Sequence, residues 1–178
     1  MNLPNIITLI RIAMIPVFAI IYFQEGPLIA LPLFVLIFLT DMLDGYLARK
    51  RNQVTKLGQI LDPFADKLLQ VTAIVCLYLT DRVPIWFIVI LFAKELIMIS
   101  MGYRMLHKGS TPIPARWYGK VTTSVIYGAI AAIFVLNPET MGLWINIICG
   151  VVVACSIGSF AAYGVSYVKM GKEPKAVE

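Results

Sequence analysis

Read from its N-terminus, the chain alternates long apolar runs with short polar breaks, and the breaks set the elements. The first run spans about Pro4 to Phe23 and stops at Gln24-Glu25-Gly26-Pro27. The second, about Leu28 to Arg49, stops at Lys50-Arg51-Asn52-Gln53, and the third, about Leu57 to Thr80, at Asp81-Arg82-Val83-Pro84. A fourth runs from Ile85 to Leu106, before His107-Lys108-Gly109-Ser110. The fifth, about Ala115 to Leu136, closes at Asn137-Pro138, and the sixth covers about Met141 to Lys169. A bilayer-spanning helix needs about 20 mostly apolar residues, and every run reaches that length. Hydrocarbon offers backbone groups no water to bond, so such runs must be helical. The pattern predicts an all-α integral membrane protein with six transmembrane helices, forming a single membrane domain over residues 1–178.

Composition narrows this further. Of 178 residues, 60% are hydrophobic and only 14% charged, and the mean hydropathy is +0.84. These values exclude an ordinary soluble domain, and six spans leave no length for an added one. The N-terminal MNLPNIITLI lacks a basic leader region and Arg11 interrupts the apolar run, so the first helix is expected to stay in the mature protein. Cys76, Cys149 and Cys155 lie inside apolar runs without ligand-type spacing and read as small buried hydrophobes.

Charge supplies the orientation. Arg49, Lys50, Arg51 and Lys56 fall between helices two and three, and Arg104, Lys108, Arg116 and Lys120 around the next loop on that side. Lys169, Lys172 and Lys175 follow helix six, while the opposite loops hold only Arg82. The positive-inside rule then places both termini in the cytoplasm. The net charge of +5 becomes a charge on that face, suited to anionic headgroups or phosphorylated substrates. In helix six, Gly150, Ala154, Gly158, Ala162 and Ser166 recur every four residues, a small-residue stripe expected to pack within the monomer. Trp86, Trp117 and Trp144, near helix ends, read as interface anchors, and His107 as a solvated loop residue.

Against this background four acids stand out. Asp41, Asp44, Gly45, Ala48 and Arg49 are spaced i, i+3, i+4, i+7, i+8, and Gly58, Asp62 and Asp66 follow at i, i+4, i+8. Each set shares one helical face. A short polar loop joins the two helices, so they are expected to be antiparallel neighbours whose acidic faces meet near the cytoplasmic surface. A carboxylate in hydrocarbon costs about 2.5–3.5 kcal/mol on insertion scales, and four together cannot all stay ionised without cations. Oxygen-only ligands favour hard ions such as Mg²⁺ or Mn²⁺, and four aspartates suit a two-metal site that clamps a phosphoryl group. Arg49 is available for phosphate. A buried ion-pair network with Arg11, Arg49, Lys67 and Lys94 is the bland alternative, and the acids outnumber convenient partners. A cation transporter or channel is the alternative from another class. Against it, the acids lie near one surface and no repeat is visible.

At these residues the chain resembles the CDP-alcohol phosphotransferase family of membrane enzymes. The family pattern D-x-x-D-G-x-x-A-R, eight residues, G-x-x-x-D-x-x-x-D is matched by Asp41, Asp44, Gly45, Ala48, Arg49, Gly58, Asp62 and Asp66. The resemblance implies that Asp41, Asp44 and Asp62 are metal ligands, and that Asp66 completes the metal site and acts as base on the acceptor hydroxyl. It implies that Asp44, Gly45, Ala48, Arg49 and Gly58 border the nucleotide and its pyrophosphate. The reaction implied is attack of an alcohol on a CDP-linked donor with release of CMP, by a homodimer whose active site opens to the cytoplasm.

Membrane burial suits a lipid donor, CDP-diacylglycerol. The opening N-L-P-N-I-I-T-L-I-R-I-A-M-I-P is similar to the subgroup of phosphatidylglycerophosphate and cardiolipin synthases, where Asn5, Thr8 and Arg11 belong to the recurring pattern. The expected acceptor is glycerol 3-phosphate, with phosphatidylglycerol, the cardiolipin synthase acceptor, as the rival. The rival gains from departures: Lys94-Glu95 stands where an R-E pair is usual, Gly102 where an arginine is, and Gly119-Lys120-Val121-Thr122-Thr123 where G-K-x-K-T is. Arg104, Arg116 and Lys120 are the candidate replacements for holding the acceptor.

Overall fold

The computed structural model describes the backbone over 3–50, 58–107 and 117–170, and side-chain surroundings over 7–40, 61, 64–98, 100, 119 and 121–162. Six helices follow in order: α1 Leu3–Glu25, α2 Pro27–Lys50, α3 Gly58–Leu79, α4 Ile85–His107, α5 Trp117–Val135 and α6 Pro138–Met170. Among the described residues there is no strand. The stretches Ile7–Glu25 and Pro138–Ala162 are long and apolar enough to cross a membrane, and Pro27–Thr40 and Val121–Val135 are shorter apolar helices. Large apolar side chains are exposed along the helices, among them Ile10, Leu28, Leu36, Val89, Leu96, Leu143 and Val151. Water-soluble monomers do not expose apolar surface on this scale; a membrane protein does.

The helix ends follow from local chemistry. Gly26 takes φ +91°, its N–H donates to the Tyr22 carbonyl (3.1 Å) and its carbonyl accepts from Ala30 N–H (3.2 Å). One residue thus closes α1 and opens α2, with Pro27 in the first helical position where its missing N–H costs nothing. A methyl group at Gly26 would meet no atom within 4 Å, so the glycine is needed for its φ and not for space. Asp81 fills the left-handed position after α3 at φ 54°. Asp81 N–H bonds the Tyr78 carbonyl and Arg82 N–H the Leu77 carbonyl, both at 2.9 Å, which is a Schellman closure. Asn137 caps α6, its Oδ1 accepting from Glu139 N–H at 3.0 Å, and Pro138 again stands first.

The chain divides into two compact units: residues 1–82 with 130–141, and residues 83–129 with 142–178. In the first, α1 buries Thr8, Arg11, Ile15, Phe18 and Tyr22, spaced by threes and fours on one stripe. Phe18 meets Phe34 of α2 (ring centroids 5.8 Å) and Phe134 of α5 (6.1 Å). The Tyr22 hydroxyl and Thr80 Oγ1 share a hydrogen bond of 2.8 Å. Arg82 Nη1 donates to the Leu136 carbonyl at 2.8 Å and the Ile133 carbonyl at 3.4 Å, closing the carbonyl end of α5 with a cation. In the second unit, α6 buries Ile145, Cys149, Val152 and Ser156 on one stripe.

Three expectations need correction. Helix α6 starts at Pro138 rather than Met141, because the Asn137 cap and Pro138 nucleate an extra turn; Met141 (φ −121°, ψ 20°) marks the kink after it. The first part of the small-residue stripe does not pack within the monomer: Gly150, Ala154 and Gly158 are exposed, and a methyl on either glycine would meet nothing within 4 Å; Ala162 is half-buried and the side chain of Ser166 lies outside the described residues. The α6 face that is buried is the one with larger side chains. Cys155 is exposed while Cys76 and Cys149 are buried, since apolar sequence in a membrane helix does not choose between core and lipid. Helix α1 packs along both α2 and α3; the expected meeting of the acidic faces of α2 and α3 falls on side chains that lie outside the described residues.

Candidate active site

The one-residue turn at Gly26 fixes the register of α1 on α2. Phe18 lies 8 residues before Gly26 (26 − 18) and Phe34 lies 8 after it (34 − 26), and their rings are in contact. Counted along ideal helices, the same symmetry puts Arg11 level with Asp41, each 15 residues from the turn (26 − 11, 41 − 26), with Pro16 of α1 and Pro32 of α2 standing in between. Thr8 comes level with Asp44, each 18 away (26 − 8, 44 − 26). At 1.5 Å per residue the acidic level lies about 22–27 Å from the turn.

Helix α3 is placed by the Tyr22–Thr80 hydrogen bond. Both residues stand at the ends of their helices, so the extensive packing of α1 on α3 requires the two to run parallel. An offset of 58 (80 − 22) then sets Thr8 level with Asp66 and Arg11 level with Leu69. By this count the backbone positions of Asp41, Asp44 and Asp66 fall toward one end of the first unit, where α1 packs on both α2 and α3. Asp62 lies one turn further toward that end.

The backbone of α2 is unbroken through Lys50, so Asp41, Asp44, Gly45, Ala48 and Arg49 occupy one face of one helix; α3 begins at Gly58 and carries Asp62 and Asp66 on one face. The side chains of Asn5, Asp41, Asp44, Ala48, Arg49, Asp62, Arg104 and Lys120 lie outside the described residues, as do the surroundings of Gly45 and Gly58 and all of Arg116. Thr8, Arg11 and Asp66 are within them. Asp66 is half-buried, while Thr8 and Arg11 are each 1% exposed. None of the three lacks an interaction partner. The donor chemistry of the site, four carboxylates with no imidazole or thiolate among the motif positions, fits hard divalent cations.

Sequence reasoning stopped one turn short on α3. Gln70 continues the spacing of Gly58, Asp62 and Asp66 by four; it is 4% exposed and accepts from Lys67 Nζ at 3.4 Å. The step of four was the available signal, and an amide in a membrane helix was the second. In the other unit Lys94 pairs with its neighbour Glu95 at 3.0 Å, which accounts for one cation of the ion-pair alternative without any aspartate.

Comparison with known proteins shows the family. A family model described as CDP-alcohol phosphatidyltransferase matches residues 1–153. The chain is 38% identical over 151 residues to a protein of Bacillus subtilis (strain 168) named CDP-diacylglycerol--glycerol-3-phosphate 3-phosphatidyltransferase, covering 76% of this chain and 78% of the relative. An Escherichia coli (strain K12) protein of the same name is 33% identical over 138 residues, covering 73% and 75%. A Mycobacterium tuberculosis (strain ATCC 25618 / H37Rv) protein named "Probable phosphatidylglycerophosphate synthase" is 35% identical over 173 residues, covering 94% and 80%.

Proposed function

We infer that this chain, which belongs to the CDP-alcohol phosphatidyltransferase family, is a membrane transferase of phospholipid biosynthesis that moves a phosphatidyl group from CDP-diacylglycerol to glycerol 3-phosphate and releases CMP. The observation that carries this reading is the complete acidic motif, Asp41, Asp44, Gly45, Ala48, Arg49, Gly58, Asp62 and Asp66, in a chain whose residues 1–153 match the family model. The names of relatives at 33–38% identity supply the donor and the acceptor.

In this reading Asp41, Asp44, Asp62 and Asp66 hold Mg²⁺ or Mn²⁺, which when bound offsets charge on the pyrophosphate and on departing CMP. Arg49 steadies the pyrophosphate through its planar donor fork. Gly45, Ala48 and Gly58 keep the helix faces thin where the nucleotide lies. A hydroxyl is a weak nucleophile at neutral pH, and Asp66 takes its proton. The acceptor oxygen bonds to the β-phosphorus as the bond from that phosphorus to the bridging oxygen breaks, and CMP carries that oxygen away. Arg104, Arg116 and Lys120 are the cations assigned to the acceptor phosphate.

The same proposal includes six membrane spans in one domain of the cytoplasmic membrane, both termini inside and the site on the cytoplasmic face. The crowding of basic residues at 49–56, 104–120 and 169–175 supports that topology. It also includes a homodimer, which light scattering of the purified protein in detergent checks.

The test is CMP release by purified protein given CDP-diacylglycerol and Mg²⁺ or Mn²⁺, with glycerol 3-phosphate in one vessel and phosphatidylglycerol in another. Release that depends on glycerol 3-phosphate is expected. Release driven by phosphatidylglycerol alone would replace the acceptor and make the enzyme a cardiolipin synthase.

A further inference from the structure

Among the described residues Arg11 is the largest fully buried side chain, 1% exposed within an apolar helix. A guanidinium presents five N–H donors on a rigid planar fork. A buried cation of this kind persists only where the fold places anionic or hydrogen-bonding groups against it. The acids of the first unit are Glu25, Asp41, Asp44, Asp62, Asp66, Asp81 and Glu139. Glu25, Asp81 and Glu139 are exposed and stand at the opposite end, beside the Gly26 turn and the closures of α3 and α5. Of the acids, that leaves the four aspartates; Thr8 and Gln70 are the buried neutral groups of the same unit that can share the guanidinium.

The stripe that carries Arg11 is the inward face of α1. Phe18, on this stripe, meets Phe34 of α2 and Phe134 of α5, and Tyr22, also on it, meets Phe134 and Thr80, the residue after α3. Arg11 is 7 residues before Phe18 (18 − 11) and 11 before Tyr22 (22 − 11), which at 100° per residue puts it within about 20° of both directions. It is level with Asp41, and one turn from Thr8, which is level with Asp44 and Asp66.

We propose that Arg11 is the resident counter-charge of the aspartate cluster, a positioning residue on α1 that holds the carboxylates in place and shares them with the divalent ions. The proposal rests on the reading that these aspartates bind metal. Its chemistry is simple. Four carboxylates carry −4, and Arg11 reduces this to −3. Two divalent ions then leave the site at +1, a balance suited to an anionic pyrophosphate. Before metal enters, the guanidinium fork lowers the repulsion among carboxylates that no cation yet separates.

Thermal unfolding of the purified full-length protein in EDTA and in saturating Mn²⁺, for wild type, Arg11→Met and Arg11→Lys, tests this alongside Mn²⁺ affinity and kcat. Arg11→Met is expected to lower the midpoint more in EDTA than in Mn²⁺, so that the rise produced by Mn²⁺ grows. Its Mn²⁺ affinity is expected to tighten roughly tenfold as a competing charge leaves, with kcat falling about tenfold or more. Arg11→Lys, which keeps the charge and loses the fork, is expected to hold the EDTA midpoint near wild type while kcat still falls. An equal fall of the midpoint in both conditions, with Mn²⁺ affinity unchanged, would make Arg11 a packing residue and overturn the proposal. If Arg11→Met cannot be purified, Arg11→Lys decides: wild-type kcat with a lowered midpoint also overturns it. A wild-type protein that neither shifts with Mn²⁺ nor binds it would remove the metal reading itself, a distinct result seen before any variant is made.

Discussion

Two arginines of the first unit show what this fold asks of a buried cation. Arg82 sits just past α3 and spends its guanidinium on the carbonyls of Ile133 and Leu136; the end of α5 explains it completely. Arg11 sits mid-helix, at the level where α2 and α3 carry aspartates, with no helix end beside it. The end of the unit near Arg82 is closed by aromatic rings, a shared Tyr22–Thr80 hydrogen bond and satisfied backbone groups. The other end carries the acidic motif positions on α2 and α3, assigned above to chemistry, and α1 packs along both helices.

That contrast can be broken at several points, the chemical end first. Asp66→Asn should lower kcat by about 10²–10⁴, the usual worth of a positioned base, with the thermal midpoint in EDTA unchanged or raised, because one repulsive charge is gone. CMP release within tenfold of wild type would remove Asp66 as base. At the other end the effects should reverse: Arg82→Gln should destabilise by about 1.5–3 kcal/mol, the worth of a hydrogen bond from a charged donor, while kcat per folded molecule stays at the wild-type value. Loss of turnover without loss of stability in Arg82→Gln would dissolve the division of labour. Gly26→Ala is smaller, about 1–2 kcal/mol for a side chain held at positive φ, and chemical unfolding of the two proteins side by side measures it. Because Gly26 also sets the register of α1 on α2, some of that cost should appear as a weaker Mn²⁺ affinity.

Much of this was legible in the sequence, for reasons that can be stated residue by residue. Helix boundaries fell within a few residues because Gly26-Pro27, Asp81 and Asn137-Pro138 are strong local punctuation, and in lipid a helix has no competitor. The aspartates were legible because charge is expensive there. Which flank of a helix faces protein was not legible: Cys155 and the Gly150–Ala154–Gly158 stripe face outward against expectation, since lipid and protein core present the same apolar chemistry. The packing of α1 along both α2 and α3 was equally hidden, because a chain pattern sets periodicity and does not name partners. Gln70 was overlooked for a plainer reason, as an uncharged residue continuing a charged spacing.

The most direct test of the account counts metal. Electron paramagnetic resonance of purified protein titrated with Mn²⁺ should detect two ions per chain, magnetically coupled as ions about 3.5–4 Å apart must be. Asp62→Asn should lose that coupling. A single isolated Mn²⁺ signal, or a coupled pair that persists in Asp62→Asn, would contradict the assignment of the four aspartates as one two-metal site.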